Sequence, residues 1–314
     1  MNRCLICAEQ TSGENQYHSA CLVDLFGKNR KPLLDYELNE LSELAKKVVL
    51  QKVTIPGVQA KLSLEIDRQT KEANKLTIVG LLGSFILKPP SKRWPELPEN
   101  EHATLLMAKS AGIETVPFGL VRLKSGEPAF ITRRIDRHET GLKFAMEDMC
   151  QLSERLSEDK YKGSHEQVAK LIKKFTENPM FDLSRYFELV LFCFLTGNSD
   201  MHLKNFSLFK DPNLGWKLSP AYDLLSTRLV IPENLDPEDL ALTLGGKKRK
   251  FTKNSFPVFG KHIGLNEKQI ENIFEKMKNK KEDFEKILMK CFLSDELKER
   301  YSSILQQRRE VLGW

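Results

Sequence analysis

One short segment, residues 196–209 with the sequence TGNSDMHLKNFSLF, carries the side chains best suited to chemistry. Asp200 and Asn205 are five residues apart in it, and His202 and Lys204 lie between them. Asn, Ser and Asp compete with the backbone for hydrogen bonds, so this composition favours a loop over a helix or a strand. The segment is therefore predicted to be a loop that holds functional side chains.

A second acid, Asp223, follows this loop after a predicted hairpin with Asp211 and Gly215 in its turn. The hairpin would bring Asp223 back beside Asp200 and Asn205. Phosphoryl transfer needs a carboxylate that takes or orients the proton of the attacking hydroxyl, and amide and carboxylate oxygens that hold Mg²⁺ against the triphosphate. The protein-kinase catalytic loop, H-R-D-x-x-x-x-N, has the same Asp-to-Asn interval. The spacing predicts Asp200 as the base and Asn205 and Asp223 as magnesium ligands.

Two upstream residues are candidates for binding phosphate groups. Lys88 ends the predicted strand SFILK, and its ammonium group would act as a point charge. Gly57, in VTIPGVQAKLSL, allows the backbone to approach a phosphate closely, although the stretch matches no known glycine-rich phosphate loop. Glu101, in the next predicted helix, is a candidate ion-pair partner for Lys88. The alternative is that Glu101 only stabilises the start of its helix, where acidic side chains are favourable.

The chain begins with a second cluster, CLICAEQTSGENQYHSAC. Two residues separate Cys4 from Cys7, and two separate His18 from Cys21, which is the spacing of zinc ligands in a tight turn. Six cysteines in 314 residues are too few for a disulfide scaffold. The alternative is that these are ordinary buried thiols around a turn. Zinc is therefore a candidate cofactor, and both interpretations stay open.

The elements that must position these residues change character along the chain. Residues up to about 140 contain short β-prone runs and one helical segment, PENEHATLLMAKSAGI, whereas MEDMCQLSERL, SHEQVAKLIKKFT and LSRYFELVLFCFLTG have helical spacing. This pattern predicts an α+β chain with a strand-rich lobe, a helical lobe and a cleft between them. The predicted boundaries are 1–48 for a short segment with the candidate zinc knuckle, 49–140 for the N-terminal lobe and 141–314 for the C-terminal lobe.

Composition narrows the class of protein. The chain is 40% hydrophobic, has a formal net charge of +6 and contains no apolar run of 18 residues, so no membrane span is predicted. Polar residues occupy the place of a signal-peptide core, which predicts a cytoplasmic protein. The basic run KKRK at 247–250 could contact nucleic acid, but a solvated turn is the favoured interpretation.

Several motifs together resemble HipA-like serine/threonine kinase toxins from about residue 50 to the end. The motifs are GVQAKLSL, FILKPP, PENEHATLLMAKSAGI, FITRRIDR, EDMCQL, GNSDMHLKNFSL and SPAYDLLST, in this order. GNSDMHLKNF is the most specific of them. The resemblance implies the two-lobed protein-kinase fold with an all-helical C-terminal lobe, and it implies ATP and Mg²⁺ as cofactors.

The resemblance also implies a role for each matching residue. Asp200 would be the catalytic base, Asn205 and Asp223 would bind magnesium, and His202 and Lys204 match positions near the phosphates. The residues expected to contact the nucleotide are Thr54, Gly57, Val58, Gln59, Lys88, Thr132 and Arg134. The last two belong to the strand FITRR, which is expected to supply hinge backbone for adenine.

The chain departs from HipA in having only about 50 residues before the glycine-containing loop, so it is more similar to the compact HipT type. The implied partners are a small protein that resembles the missing subdomain, a helix-turn-helix antitoxin that would bring indirect DNA contact, and a protein substrate such as an aminoacyl-tRNA synthetase. Family members often autophosphorylate a serine near the ATP loop. The matching stretch here is Thr54-Ile55-Pro56, which makes Thr54 the candidate site.

Two other functions remain open at this level. A kinase with the same core could act on a lipid or small-molecule hydroxyl, or the chain could be a catalytically silent binding module in a DNA-bound complex. The presence of Asp200, Asn205, Asp223 and Lys88 argues against the silent module.

Overall fold

The computed structural model describes residues 2–41, 43–44, 61–67, 73–79, 83–137 and 142–314. The chain forms two compact units. The first contains Met1–Ala103, Val116–Leu142 and Lys290–Leu293, and the second contains Thr104–Thr115, Lys143–Met289 and Ser294–Trp314.

Among the described residues, the first unit has a six-stranded sheet with the order β1-β3-β2-β4-β6-β5. The strands are β1 (Pro32–Leu33), β2 (Leu62–Ile66), β3 (Asn74–Ile78), β4 (Phe85–Lys88), β5 (Phe118–Arg122) and β6 (Pro128–Arg133). The pair β1–β3 is parallel and the other pairs are antiparallel. Side chains alternate between faces along a strand, so Leu62 and Leu64 share one buried face, as do Phe85 and Leu87.

Among the described elements, helix α1 (Ser19–Phe26) lies in this unit and helix α2 (Leu97–Ser110) begins in it. Helix α1 ends at Gly27, whose φ of 74° is the left-handed conformation that closes many helices. Its side chains Leu22, Leu25 and Phe26 join the buried core of the sheet. The predicted helix at 98–113 is confirmed by α2.

The described part of the second unit is mainly helical. Its helices are α3 (Met149–Leu152), α4 (His165–Phe175), α5 (Pro179–Leu195), α6 (Thr227–Val230), α7 (Ser255–Ile263), α8 (Glu267–Lys278), α9 (Lys281–Lys290) and α10 (Asp295–Leu312). Helix α4 begins with a capping box between Ser164 and Gln167, which satisfies two backbone N–H groups. Helix α5 is buried on nearly all sides towards its C-terminal end, as the uninterrupted apolar run at 189–195 predicts.

A three-stranded antiparallel sheet interrupts these helices, with the order β7 (Met146–Asp148), β8 (Ser207–Asp211) and β9 (Gly215–Leu218). The hairpin β8–β9 confirms the predicted hairpin. Strand β7 differs from the prediction, because residues 146–148 were expected to begin a helix. Met146 pairs with Phe209, and Asp148 then caps the short helix α3. Pairing with a distant strand overrides the local helical spacing here.

Within the described ranges, no helix is both long enough and apolar enough to cross a membrane.

Candidate active site

The candidate catalytic loop begins directly after α5, at a glycine that no other residue can easily replace. Gly197 has a φ of 67°, and a Cβ added to it would lie 3.0 Å from side-chain atoms of Arg228 and Ile304. The next residue, Asn198, is fully buried, and its Oδ1 accepts a 3.1 Å hydrogen bond from the N–H of Asp200. These two residues turn the chain out of the helix and set the position of Asp200.

Asp200 and Asn205, five residues apart, are joined across the loop. The backbone carbonyl of Asp200 accepts hydrogen bonds from the N–H of His202 at 2.8 Å and from Nδ2 of Asn205 at 3.0 Å. Asn205 is buried. Because its amide nitrogen is used in this bond, its amide oxygen is the atom that can serve as a ligand.

Tyr161 contacts the candidate base, and sequence reasoning missed it. Its hydroxyl donates a 2.5 Å hydrogen bond to Oδ1 of Asp200 across 39 residues of sequence, and the ring of His202 packs edge-on at 4.9 Å. Burial raises the pKa of the Tyr161 phenol far above its usual range, and the charges of Asp200, Asp236 and Asp223 raise it further. Tyr161 is therefore protonated at physiological pH and acts as a donor.

Asp223 lies in a strained backbone conformation close to this loop. Its φ is 59°, in the left-handed region that is uncommon outside glycine. The preceding Tyr222 anchors it, because its hydroxyl donates to the carbonyl of Lys204 at 3.1 Å and lies 2.5 Å from the hydroxyl of Ser207. The residue next to Asp223 is thus bonded to the loop of Asp200, and a role for Asp223 at that loop stays a prediction.

Two further residues hold the loop, and sequence reasoning missed both. The hydroxyl of Ser199 donates to Oδ2 of Asp236 at 2.7 Å, and Thr227 accepts the N–H of Ser199 at 2.8 Å. Thr227 also donates to the carbonyl of Gly197 at 3.1 Å. Thr227 is the last residue of the motif SPAYDLLST, but nothing in that motif assigns it to the loop of Asp200, and Asp236 belongs to none of the motifs. Only the tertiary structure reveals that both contact the loop.

Asn205 and Asp223 carry oxygen atoms of the kind that a magnesium ion takes as ligands. Mg²⁺ prefers carboxylate and carbonyl oxygens and is usually bound in proteins through one or two carboxylates. The carboxylate of Asp223 and the amide oxygen of Asn205 are ligands of this kind. Backbone strain such as that of Asp223 is concentrated at functional sites, where the surrounding structure maintains it.

Lys204 lies in the same loop, and the structure gives its ammonium group two neighbours. Nζ donates to the hydroxyl of Ser157 at 3.1 Å and lies 3.6 Å from Oδ2 of Asp148. A role for Lys204 at the phosphates stays a prediction and would require its ammonium to leave or share these contacts.

The first unit contains a buried ion pair between Lys88 and Glu101. The ammonium of Lys88, at the end of β4, lies 2.6 Å and 2.8 Å from the two carboxylate oxygens of Glu101 on α2. Only 4% and 2% of the two side chains are exposed, and the ring of Phe130 lies 5.4 Å from Nζ. The predicted partnership of Lys88 with Glu101 is confirmed.

The other residues predicted to contact the nucleotide fall into two groups. Those outside the described residues are Thr54, Gly57, Val58 and Gln59. Thr132 and Arg134 lie at the end of β6, where the hydroxyl of Thr132 donates to the carbonyl of Pro117 at 2.9 Å.

Backbone bonds at the end of β6 restrict how it could bind adenine. The N–H of Arg133 donates to Pro117, and the N–H of Arg134 donates to Ser84. The guanidinium of Arg134 is bound by both carboxylate oxygens of Asp136, at 2.9 Å and 2.8 Å. A contact between adenine and residues 133–134 would therefore use a carbonyl oxygen in place of these N–H groups.

The four predicted zinc ligands also come together in the first unit. The ligand atoms of Cys4, Cys7, His18 and Cys21 all lie within 4.8 Å of one another.

Comparison with known sequences identifies related proteins. The sequence model of the HipA-like C-terminal domain matches residues 53–284. A Haemophilus influenzae protein named "Putative kinase" is 31% identical over 270 residues, which are 77% of this chain and 77% of that protein. The serine/threonine-protein kinase toxin HipA of Shewanella oneidensis is 28% identical over 218 residues, which cover 60% of this chain but only 49% of HipA.

Two solved structures share the fold. HipA of Shewanella oneidensis, in its complex with HipB and operator DNA, aligns with a TM-score of 0.69 and 20% identity over 87% of this chain and 71% of HipA. The Helicobacter pylori proinflammatory kinase CtkA aligns with a TM-score of 0.57 and 15% identity over 79% of this chain and 93% of CtkA. These matches confirm the predicted α+β fold of the protein-kinase type.

Proposed function

Because the chain belongs to the HipA-like C-terminal domain family, we propose that it is an ATP-dependent serine/threonine protein kinase. One observation carries the proposal. Asp200 lies on a loop that is hydrogen-bonded at both ends, with the amide of Asn205 bound to its carbonyl, and Tyr222, the neighbour of Asp223, is bonded to the same loop. Asp200 would act as the base and Asn205 and Asp223 as oxygen ligands, which are the groups that phosphoryl transfer needs.

In the proposed reaction, Asp200 accepts the proton of a serine or threonine hydroxyl. The hydroxyl oxygen forms a bond to the γ-phosphorus of ATP while the bond to the β–γ bridging oxygen breaks and ADP leaves. The residues that would hold Mg²⁺ are Asn205 and Asp223; the ion, when bound, neutralises negative charge on the phosphates. Lys88, oriented by Glu101, would contact the phosphates as a point charge.

Tyr161 would orient the base in this mechanism. Its bond to Oδ1 would orient the carboxylate of Asp200 towards the substrate hydroxyl. A general base has to lie within hydrogen-bond reach of the proton that it removes, so a fixed carboxylate increases the rate through orientation.

We further propose that the kinase is the toxin of a toxin–antitoxin system. The proposal is supported by the relative named as the kinase toxin HipA and by the solved HipA structure, which contains HipB and operator DNA. The proposed partners are a helix-turn-helix antitoxin, through which the chain would contact DNA indirectly, and a small protein that resembles the N-terminal subdomain of HipA. The proposed substrate is an aminoacyl-tRNA synthetase, which would place the reaction in the cytoplasm.

The test is incubation of the purified chain with magnesium and radioactively γ-labelled ATP, beside a bacterial lysate. A labelled lysate protein is expected, and Asp200→Asn should abolish the label. Asp211→Asn is the matched control, because this carboxylate lies in the turn of the β8–β9 hairpin and accepts only local N–H bonds and an ion pair with Lys217. Mass spectrometry of the labelled protein would identify the target.

Other outcomes of this experiment separate the alternatives. Transfer of label to a lipid or a metabolite in place of a protein would indicate the small-molecule kinase. Failure to bind ATP at all would favour the silent binding module. Label on the chain itself should be lost in Thr54→Ala if Thr54 is the autophosphorylation site that we propose.

A further inference from the structure

We propose that Cys4, Cys7, His18 and Cys21 bind one structural zinc ion, which fixes the N-terminal segment against strand β5 and helix α2. The ligand atoms of these residues, three sulfurs and one imidazole nitrogen, all lie within 4.8 Å of one another. Three thiolates and one imidazole form an established ligand set for tetrahedral structural zinc. The inference is independent of the proposed kinase activity.

The spacing of the ligand atoms is close to that of a zinc tetrahedron. Bonds of about 2.3 Å to sulfur and about 2.0–2.1 Å to nitrogen place neighbouring ligand atoms roughly 3.3–3.8 Å apart. Nδ1 of His18 lies 3.3 Å from Sγ of Cys7 and 4.0 Å from Sγ of Cys21. These two distances are within a few tenths of an ångström of the tetrahedral spacing, and all the other pairs, which lie within 4.8 Å, would reach it with shifts of about 1 Å or less.

The second ring nitrogen of His18 has the partner that a ligating histidine requires. Nε2 lies 2.9 Å from the backbone carbonyl of Gln10, to which it can donate its hydrogen. This bond favours the tautomer in which Nδ1, directed at the sulfurs of Cys7 and Cys21, has a free lone pair. Metal-bound histidines typically donate their other N–H to a carbonyl or a carboxylate in this way.

The backbone around Cys4 and Cys7 has the form of a metal-binding turn. Ala8 has a φ of 61°, an unfavourable conformation for a residue with a Cβ, and its N–H donates to the carbonyl of Cys4 at 2.8 Å. The N–H of His18 lies 3.4 Å from Sγ of Cys4. Several simultaneous bonds are needed to maintain such strain, and four ligand bonds to one ion would supply them.

Two of the three cysteines in the cluster differ in exposure from the buried thiols elsewhere in the chain, and the third, Cys4, is buried as they are. Cys7 and Cys21 are partly exposed, whereas Cys193 lies in the middle of helix α5 and is 1% exposed. The six cysteines of the sequence all lie in the described residues, and none of them is in a disulfide bond. Sulfur and imidazole ligands favour zinc over magnesium or calcium, which take oxygen. The interpretation as ordinary buried thiols therefore fits less well here.

The residues between the ligands contact the rest of the first unit. The carbonyl of Leu5 accepts the N–H of Leu120 in β5 at 2.7 Å, and the carbonyl of Ile6 lies 2.9 Å from Nε2 of His102 in α2. Gly119 makes room for this approach, because a Cβ there would lie 2.8 Å from Cγ1 of Ile6. Since Cys4 and Cys7 flank Leu5 and Ile6, an ion bound to both would hold these contacts in place.

Metal content and cobalt substitution test the site. The purified chain should contain one zinc per molecule, and exchange with Co²⁺ should produce the visible absorption of a tetrahedral thiolate complex. The double variant Cys7→Ser/Cys21→Ser should lose both signals, whereas Cys150→Ser, a buried cysteine outside the cluster, should retain them. The measurements on the unmodified chain remain decisive if the double variant fails to fold.

Hydrogen exchange tests what the ion fixes. Removal of zinc by a chelator should speed amide exchange in residues 97–103 and 118–122, and leave exchange in helix α5 unchanged. Three results would each overturn the zinc site. The first is a chain that binds neither zinc nor Co²⁺, and the second is a full metal content in the double variant. The third is a mass lower by two hydrogens, which would indicate a disulfide among these cysteines. Metal loss without faster exchange in residues 97–103 or 118–122 would overturn its bracing role.

Discussion

The hydroxyl of Tyr161 donates a 2.5 Å hydrogen bond to Oδ1 of Asp200, while the ring of His202 packs edge-on against the same tyrosine. A carboxylate has two oxygens that can each accept more than one hydrogen bond, so Oδ2 of Asp200 can still accept a substrate proton. The proposed base is therefore held by a side chain from a distant turn as well as by its own loop.

Replacement of Tyr161 by phenylalanine tests this relationship. Loss of one hydrogen bond to a charged group, worth about 1.5 kcal/mol, should lower kcat about tenfold and leave the KM for ATP unchanged. Steady-state kinetics on the labelled substrate would measure both. Tyr36→Phe is the matched control, because its hydroxyl accepts only the N–H of Ile78 in the first unit. A faster Tyr161→Phe enzyme would mean that the hydroxyl competes with the substrate for Asp200.

Asp223→Asn tests the proposed metal ligand. Loss of the negative charge should weaken magnesium-dependent binding of ATP by roughly tenfold or more, because a neutral amide oxygen is a poorer ligand than a carboxylate for a hard cation. Calorimetric titration with ATP, with and without magnesium, measures the effect. Equal affinity in Asp223→Asn and the parent chain would remove Asp223 from the metal site; Asp211→Asn should bind as the parent does.

Substitutions of Lys88 and Glu101 should affect the stability of the chain and its activity differently. Glu101→Gln leaves the buried ammonium of Lys88 without its carboxylate, and the free energy of unfolding should fall by about 3–5 kcal/mol. The double variant Lys88→Met/Glu101→Leu should recover most of this stability, since buried charges are often replaceable by apolar side chains, and it should stay inactive.

Urea unfolding measures these differences. Glu267→Gln, which breaks an exposed ion pair with Lys261, should leave the free energy of unfolding nearly unchanged. An active double variant would contradict the proposed role of Lys88 at the phosphates.

Glu99 should make the stability of the chain depend on pH. Burial raises the pKa of its carboxyl group from 4.5 to about 7. Between these values the folded chain binds the proton more tightly than the unfolded chain, so the contribution of Glu99 becomes increasingly unfavourable as pH rises, by about 3 kcal/mol at most. Glu99→Gln should therefore stabilise the protein above about pH 7 and have little effect near the unfolded pKa of 4.5.

Urea unfolding of Glu99→Gln and the parent chain at several pH values measures this difference. Glu282→Gln, at a mostly exposed position, should follow the parent at every pH. A stability difference between Glu99→Gln and the parent that does not change with pH would show that the Glu99 carboxyl titrates normally in the folded chain.

The sequence by itself determined the features that depend on local chemistry. Polar residues after an apolar helix predicted the loop of Asp200, and turn residues predicted the hairpin β8–β9. The interval from Asp200 to Asn205 and the two short gaps between the proposed zinc ligands could be read without a structure. Local backbone hydrogen bonds and short spacings decide such features, so one segment contains all the information that they need.

Only the tertiary structure decided which distant residues complete the site. Tyr161 bonds to Asp200 across 39 residues, and Ser199 bonds to Asp236 across 37. Strand β7 forms where the sequence favours a helix, because its partner β8 lies about 60 residues further along the chain. These contacts are selected by the packing of whole elements against one another, and no short segment of sequence contains that information.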